Sequence, residues 1–221
     1  EVAHGDVPES APLSEGGVDY EAPVRGGQKT GWFYDQRDNR RRFERYRPAR
    51  VLDVFCYTGA WGLSAAVRGA EAAFVDSSKS ALAAVEGNAA RLGVAAETYE
   101  GSAFDVLKAL RAEGRRFDAV VVDPPAFIKR RKDHRKGLTA YQRINQLALT
   151  LLEREGLLVS CSCSHHLGVG ELMTAVERAA RHVDRFVQVL EVGGQAADHP
   201  VHPAIPETRY LKALFCRVLP A

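Results

Sequence analysis

Short, nearly continuous apolar runs alternate with helical segments along most of the chain. FDAVVV at Phe117–Val122 is typical of a strand buried on both faces, and residues 50–55 and 157–162 have the same character. Between such runs lie segments with helical periodicity, for example Lys79–Leu92, which is followed by Gly93. This alternation predicts an α/β fold with a doubly wound, mostly parallel, seven-stranded sheet.

The first part of the chain lacks this regularity. Residues 1–17 are rich in Pro, Gly, Ser and Glu, which predicts a flexible lead-in. Residues 18–22 alternate as a short strand does, Gly26-Gly27 supplies a turn, and residues 30–34 would form the return strand. We therefore expect a short N-terminal hairpin extension within residues 18–47 and a main domain at residues 48–221.

Composition narrows the class of protein. Of the 221 residues 46% are hydrophobic, enough for one sizeable core, and no apolar run approaches the roughly 20 residues that span a bilayer. No secretion leader opens the chain, so we expect a cytoplasmic protein without a membrane partner. The sole methionine is Met173, whereas the chain begins at Glu1, which indicates a fragment that lacks a preceding domain.

The four cysteines are Cys56, Cys161, Cys163 and Cys216. They contain no C-x-x-C pair, and Cys161 and Cys163 are alternate residues of one predicted strand, so we expect no metal and no disulfide framework. Buried, reduced thiols are the simplest interpretation for most of them.

A glycine-containing turn follows the first predicted strand of the main domain, and a carboxylate ends the second. Asp53 precedes the turn YTGAWG at residues 57–62, and Asp76 ends the next strand, where a carboxylate can accept hydrogen bonds from ribose hydroxyls. The turn does not fit G-x-G-x-x-G, which disfavours a nicotinamide oxidoreductase.

Together these features resemble the class I S-adenosylmethionine-dependent methyltransferases, whose sheet is Rossmann-like. The resemblance implies S-adenosyl-L-methionine as the cofactor. The resemblance implies an adenine contact at Ser102 and Ala103, after the third strand of the main domain. The acidic residue that the family often has in this segment is missing here, which is a departure from the family's pattern. The implied cofactor residues are Asp53, Phe55, Tyr57, Thr58, Gly59, Asp76, Ser77, Ser102, Ala103 and Asp123.

The segment DPPAF at residues 123–127 resembles the fourth motif of methyltransferases that act on nucleic-acid bases. Its prolines stiffen the loop. Cys163, at the end of the fifth strand of the main domain, lies where a partly exposed thiolate could attack carbon 6 of a pyrimidine and so activate carbon 5 for methylation. Cys161 is two residues deeper in the same strand and is predicted to be a core residue.

Several strings extend the resemblance over residues 17–219. They are GQKTGWFYDQRDNR at 27–40, VLDVFCYTGAWG at 51–62, DPPAF at 123–127, SCS at 162–164, ADHP at 197–200, PE at 206–207 and YLK at 210–212. They resemble bacterial 23S ribosomal RNA cytosine-5 methyltransferases of the large-subunit methyltransferase I type. The resemblance implies 5-methylcytosine formation in large-subunit rRNA through a Cys163 adduct, with Asp123 and Pro124 as further catalytic residues. An N-terminal PUA domain, typical of that family, is absent from this chain.

One departure leaves the acceptor of the carbon 5 proton open. Many other RNA cytosine-5 methyltransferases have a second cysteine in the fourth motif, where this chain has Pro125 and Ala126. His165 and His166 are candidate bases, although such loop histidines are more often structural or solvated.

Two basic segments predict RNA as the partner. Arginines are dense in residues 37–50, and KRRKDHRK at 129–136 follows the DPPAF loop, where basic groups could neutralise phosphates. A solvated charged surface is the alternative for both. The candidate RNA residues are Gln36, Arg37, Lys129, Arg130 and Arg131, and Tyr34, Gln36 and Arg37 are candidates for closing the site.

Two other functions remain open at this point. Methylation of guanine N2 or another amine would use the DPP loop alone and tolerate the loss of Cys163. A non-catalytic RNA-binding module would bind RNA without binding the cofactor. The oligomeric state is also open, with a homodimer as one alternative.

Overall fold

The computed structural model describes residues 4–25 and 31–221. Nine strands and six α-helices lie in these residues. The strands are β1 Ser10–Glu15, β2 Val18–Pro23, β3 Arg50–Val54, β4 Glu71–Asp76, β5 Glu97–Glu100, β6 Phe117–Val122, β7 Leu152–Ser162, β8 Arg185–Gly193 and β9 Lys212–Pro220. The helices are α1 Arg37–Phe43, α2 Ala60–Ala66, α3 Lys79–Leu92, α4 Ala103–Ala112, α5 His134–Thr150 and α6 Val169–Arg181.

Seven of the strands form one sheet in the order β5-β4-β3-β6-β7-β9-β8. The pairs from β5 to β7 are parallel, and β9 runs antiparallel to both β7 and β8. The predicted fold class, a doubly wound and mostly parallel seven-stranded sheet, is confirmed. The carboxyl ends of β4, β3, β6 and β7 therefore meet at one edge of the sheet, where open α/β sheets bind their ligands.

The centre of the sheet is buried on both faces. Residues 119–122 of β6 have no exposed surface, which agrees with their unbroken apolar sequence. The helices pack closely on the sheet, and Gly62 in α2 is one consequence. A Cβ at this position would lie 2.4 Å from the Phe74 ring of β4, so only glycine allows α2 to approach so closely.

The N-terminal hairpin differs from the prediction. β1 pairs with β2 in antiparallel register, and Gly16 and Gly17, both with positive φ, form the two-residue turn between them. Part of the predicted flexible lead-in is thus a strand, and residues 31–34 do not form a return strand. The sequence contains a signal for this hairpin, namely a glycine pair between two alternating segments. Pro12 and the serines of β1 made the alternation of the first segment difficult to recognise. The predicted turn at Gly26-Gly27 lies outside the described residues.

Helix α5 begins at His134, inside the basic segment at residues 129–136. Gly137 lies inside this helix. Only glycine fits at this position, because a Cβ would meet Ile128 Cγ1 at 2.3 Å and the Phe127 carbonyl oxygen at 2.8 Å. The first turn of α5 thereby packs directly against the DPPAF loop.

Candidate active site

A cavity of about 710 Å³ opens at the carboxyl ends of β3, β4, β6 and β7. Two groups of residues in its lining are named here the turn wall (residues 55–58 after β3 and 76–78 at the end of β4) and the thiol wall (residues 123–126 after β6 and Cys163 after β7). The other lining residues are Pro23, Arg25, Trp32, Phe33, Asp35, Gln36, Arg40, Ala60, Trp61, Ser80, Ala81, Tyr210 and Leu211.

The turn wall has an unusual backbone. Phe55 and Tyr57 have positive φ, as does Gly59, and the amides of Phe55 and Cys56 donate to the carbonyl of Val75 in β4. Non-glycine residues with a positive φ store backbone strain, and this conformation persists only where the surrounding structure fixes it. Gly59 lies behind the cavity surface, where a Cβ would be 3.0 Å from Val85 Cγ2.

Two aspartates fix this turn through backbone amides. Asp76 accepts from Tyr57 N (3.0 Å) and Ser78 N (2.9 Å), and it lines the cavity with Ser77. Asp53 accepts from Gly62 N (2.9 Å) and is fully buried beneath the turn, not on the cavity surface. Burial raises the pKa of Asp53 to about 7.

The other predicted cofactor residues divide between the cavity and its surroundings. Phe55, Tyr57, Thr58, Asp76, Ser77 and Asp123 line the cavity. Ser102 and Ala103 lie at the start of α4 and are not among its lining residues, and the same holds for Asp53 and Gly59. The carboxylate of Asp76 retains lone pairs after its two backbone bonds, so it can still accept from two hydroxyl groups of a ligand.

The carboxylate of Asp123 on the thiol wall is held by two side chains. Its Oδ2 accepts from Gln36 Nε2 at 2.9 Å and from Trp61 Nε1 at 3.2 Å. Burial raises the pKa of Asp123 to about 6 against the opposing hydrogen bond from Trp61. Gln36 is buried and its Oε1 accepts from Asn39, so this predicted RNA residue is bound within the protein.

Cys163 is half-buried and lines the cavity together with Pro124 and Pro125. Its sulfur lies 4.0 Å from the carbonyl oxygen of Pro124. Cys161, two residues earlier, has no exposed surface, and burial raises its pKa well above the ordinary value. The strand thus presents one thiol to the cavity and holds the other in the core.

A buried hydroxyl cluster supports the thiol wall from behind. The hydroxyl of Tyr141 accepts from Ser162 Oγ at 2.8 Å and lies 3.0 Å from Ser164 Oγ. Ser164 Oγ in turn accepts from the amide of Ile128 at 3.3 Å. These bonds join α5, the end of β7 and the DPPAF loop on either side of Cys163. Sequence reasoning missed Tyr141, although a tyrosine on an apolar helix face commonly directs its hydroxyl to a buried partner.

The segment before α1 covers the cavity, and sequence reasoning assigned few of its contacts. Trp32 and Arg40 both donate to Glu15 of β1, and Arg40 also donates to the carbonyl of Phe33. Asp35 accepts from the hydroxyl of Tyr210 at 2.8 Å. The N-terminal hairpin thus anchors one side of the cavity.

The predicted RNA residues outside Gln36 lie beyond the cavity lining. Arg37 pairs with Asp198 at 2.9 Å, and Arg130 pairs with Asp133 at 2.9 Å. Lys129 and Arg131 are exposed on the segment that continues from the thiol wall. The candidate bases His165 and His166 have ring centroids 3.7 Å apart and do not line the cavity.

Two findings concern other classes of site. Among the described residues no group of His, Cys, Asp or Glu side chains could hold a metal ion. Within residues 4–25 and 31–221, no helix is both long and apolar enough to cross a membrane.

The fold is similar to that of solved methyltransferases. A candidate methyltransferase in complex with SAH matches 98% of this chain and 58% of its own, with 22% identity and a TM-score of 0.84. A candidate SAM-dependent methyltransferase from Streptococcus mutans matches 98% of this chain and 57% of its own, with the same identity and TM-score. The fold, with its cavity at the carboxyl ends of the parallel strands, is therefore that of the SAM-dependent methyltransferase class.

The family follows from the sequence. Residues 39–167, more than half of the chain, match the family described as Conserved hypothetical protein 95, and the chain belongs to that family.

Among curated proteins, the ribosomal RNA large subunit methyltransferase I of Aeromonas salmonicida is 39% identical over 222 residues, covering 98% of this chain and 56% of the relative. A candidate ribosomal RNA large subunit methyltransferase of Methanocaldococcus jannaschii is 38% identical over 208 residues, covering 92% and 53%. The chain spans about half the length of the curated relatives it matches.

Proposed function

We propose that this chain carries the catalytic site of an S-adenosylmethionine-dependent RNA methyltransferase that methylates carbon 5 of a cytosine in large-subunit ribosomal RNA. The observation that carries the proposal is the arrangement of the two walls. A half-buried thiol and a stiff proline loop line the same cavity as a glycine-containing turn and the oriented carboxylate of Asp76. The relatives named for the large ribosomal subunit support rRNA as the substrate class.

The turn wall fits the cofactor. Asp76 offers free acceptor lone pairs at the tip of β4, suited to the two ribose hydroxyls. Phe55 and Tyr57 add apolar surface beside it. A cavity of about 710 Å³ lies within the roughly 300–1,000 Å³ that ligand sites occupy. S-adenosylmethionine, when bound, supplies a methyl group on a positively charged sulfur.

The thiol wall fits a pyrimidine. Cys163 as thiolate adds to carbon 6 of the base, which forms a sulfur–carbon bond and makes carbon 5 electron-rich enough to take the methyl group. Carbon 5 then loses its proton to a base, and the Cys163 sulfur leaves carbon 6 with its electron pair, which restores the ring. Asp123, held by Gln36 and Trp61, is positioned to bind the edge of the ring.

RNA would reach the cavity along the basic segment at residues 129–136. Lys129 and Arg131 are exposed there and continue directly from the DPPAF loop. Such groups neutralise phosphates, so affinity should fall as salt rises. The target cytosine would enter the cavity unpaired or flipped out of its helix.

The decisive experiment identifies the modified nucleoside. The chain is incubated with methyl-labelled S-adenosylmethionine and unmodified large-subunit rRNA, and the digested RNA is analysed by mass spectrometry. We expect 5-methylcytidine. A methylated guanosine or another amine product would contradict the carbon 5 chemistry, and the absence of cofactor binding would favour a non-catalytic RNA-binding module.

Cys163→Ala and Cys161→Ala form a matched pair on one strand. We expect Cys163→Ala to lower methyl transfer on the order of 1,000-fold or more, with cofactor affinity unchanged. Cys161→Ala should retain transfer and lose about 1–2 kcal/mol of stability, because it removes a buried sulfur. Full activity of Cys163→Ala would contradict the covalent mechanism.

Asp76→Ala should weaken cofactor binding about 10- to 100-fold in calorimetry, since it removes charged acceptors.

A further inference from the structure

Lys212, the first residue of β9, is a buried ammonium without an acidic partner. Its exposed fraction is 8%, and no carboxylate lies within ion-pair distance of it among the residues the structure describes. Its Nζ donates to two backbone carbonyls, those of Ser164 at 2.5 Å and Tyr210 at 2.8 Å. A buried charge held only by neutral acceptors is costly, which indicates that the charge has another use.

The fold brings this ammonium to the end of β7. Lys212 is the register partner of Ser162, and the carbonyl to which it donates belongs to Ser164. Cys163 lies between these two residues. Tyr210 and Leu211, which immediately precede Lys212, line the same cavity as Cys163. The position of the Lys212 ammonium beside the carbonyl of Ser164 is therefore set by the antiparallel pairing of β7 and β9, not by a mobile loop.

The electrostatic surroundings of Lys212 contain two groups of opposite sign. Burial lowers the pKa of Lys212 to about 8, whereas Cys163 and Glu171 act in the opposite direction. Glu171 is already engaged, since it pairs with His134 at 2.9 Å and accepts from the amide of Gly168. Cys163 is thus the group toward which the charge of Lys212 can act.

We propose that Lys212 is a positioning residue whose ammonium stabilises the thiolate of Cys163. The thiol proton passes to solvent, and the sulfur remains as an anion beside the fixed positive charge. The inference rests on the proposed function in one respect, that Cys163 is the nucleophile of the reaction. It accounts for a buried lysine that the methyl-transfer chemistry otherwise leaves unused.

Other titratable groups lie around Cys163. From the thiol wall comes the acid Asp123, and the buried hydroxyl of Tyr141 and the half-buried hydroxyl of Tyr210 lie in the electrostatic surroundings of the sulfur. His165, two residues further along, is exposed. Arg40 is a second buried cation in the cavity lining, but its charge is paired with Glu15. An acid disfavours a thiolate and a neutral phenol carries no charge, whereas Lys212 provides a buried positive charge that no carboxylate pairs.

The test is the pH dependence of Cys163 alkylation by iodoacetamide in the intact chain, without RNA or cofactor, followed by peptide mass spectrometry. Lys212→Gln keeps a donor for the two carbonyls but removes the charge, and Lys212→Arg keeps the charge. We expect the midpoint of alkylation to rise by about one pH unit or more in Lys212→Gln, a tenfold slower reaction at pH 7, and to stay low in Lys212→Arg. The buried Cys161 and Cys216 serve as internal references.

Equal midpoints in wild type and Lys212→Gln would overturn the inference. Should the variants fail to fold, the wild-type midpoint decides alone, because a value at or above the roughly 8.5 of an ordinary cysteine would exclude a stabilised thiolate. Methyl transfer by Cys163→Ala tests the proposed function separately. A shifted midpoint together with Cys163-independent transfer would retain the thiolate stabilisation and reject the covalent chemistry.

Discussion

The turn wall and the thiol wall face one cavity but are built in different ways. In the turn wall, backbone amides point at carboxylates, as Tyr57 and Ser78 do toward Asp76. In the thiol wall, side chains bind side chains, as Gln36 does with Asp123 and Ser162 with Tyr141. The first wall is therefore fixed by local chain geometry, whereas the second depends on residues brought from distant parts of the sequence.

The difference predicts how each wall fails. A wall made from backbone breaks when one residue cannot adopt its φ and ψ. A wall made from side chains loses hydrogen bonds one at a time, so that it loosens while the fold persists. The first kind of change costs stability and cofactor binding together, and the second costs mainly chemistry.

The largest effect is expected at Gly59 of the turn. Gly59→Ala places a Cβ at φ +80°, within 3.0–3.2 Å of Val85, Phe74 and Leu63. Backbone strain and overpacking together should cost roughly 2–4 kcal/mol of unfolding free energy, measured by urea denaturation, and cofactor affinity should fall with it.

Gly93→Ala is the matched control for this change. Gly93 has a similar φ, +68°, at the end of α3, but a Cβ there meets nothing within 4 Å. It should cost only about 1 kcal/mol and leave cofactor binding intact. Equal losses in the two variants would show that crowding behind the turn is unimportant.

A smaller and more selective effect is expected at Tyr141. Tyr141→Phe leaves the hydroxyl of Ser162 without its acceptor and removes the link to Ser164. We expect a loss of about 1–2 kcal/mol in stability and roughly tenfold slower methyl transfer at unchanged cofactor affinity, because only the thiol wall loosens.

Tyr46→Phe is the control for that prediction. The hydroxyl of Tyr46 donates to Glu191 at 2.7 Å, away from the cavity, so its removal should leave methyl transfer unchanged. If Tyr141→Phe weakened cofactor binding as much as transfer, the two walls would not be independent.

The same contrast explains what the sequence could predict. The turn wall follows from one short stretch of sequence, with Asp76 only 19 residues from Tyr57, and its strand–turn–helix–strand pattern can be recognised from the sequence alone. The Gln36–Asp123 bond joins residues 87 apart, and no periodicity indicates such a partner. The division between Cys161 and Cys163 was predictable from depth along the strand, because Cys161 lies within β7 whereas Cys163 follows its last residue, Ser162.

Tertiary packing decided the remaining differences. Asp53 precedes the turn in sequence, yet it is fully buried beneath the turn, where it accepts a hydrogen bond from the amide of Gly62. The predicted boundary at residue 48 separates Trp32 and Asp35 from a cavity that they help to line. Local patterns cannot show that a hairpin before the sheet folds back over its edge.

The smallest effect concerns pH, and it compares Asp53, which lies beneath the turn wall, with Asp123 of the thiol wall. Burial raises the pKa of Asp53 to about 7 and that of Asp123 to about 6, so the folded state binds protons on both groups more tightly than the unfolded chain does. Stability from these groups is therefore present below pH ~4 and declines as pH rises toward 6 for Asp123 and toward 7 for Asp53. Carboxylates with a lowered pKa, such as Glu97 at about 2, change charge in the folded protein below the range of pH 4 to 7 in which Asp53 and Asp123 titrate.

Asp123→Asn and Asp53→Asn separate the two contributions. Each substitution should flatten the decline of unfolding free energy between pH 4 and 7, by on the order of 1–2 kcal/mol, when urea denaturation is repeated at several pH values. The flattening should end near pH 6 for Asp123→Asn and continue to about pH 7 for Asp53→Asn. A wild-type stability that instead rose steadily across this window would mean that both carboxylates are ionised in the folded protein, and that solvent or a bound cation reaches each wall more freely than their burial indicates.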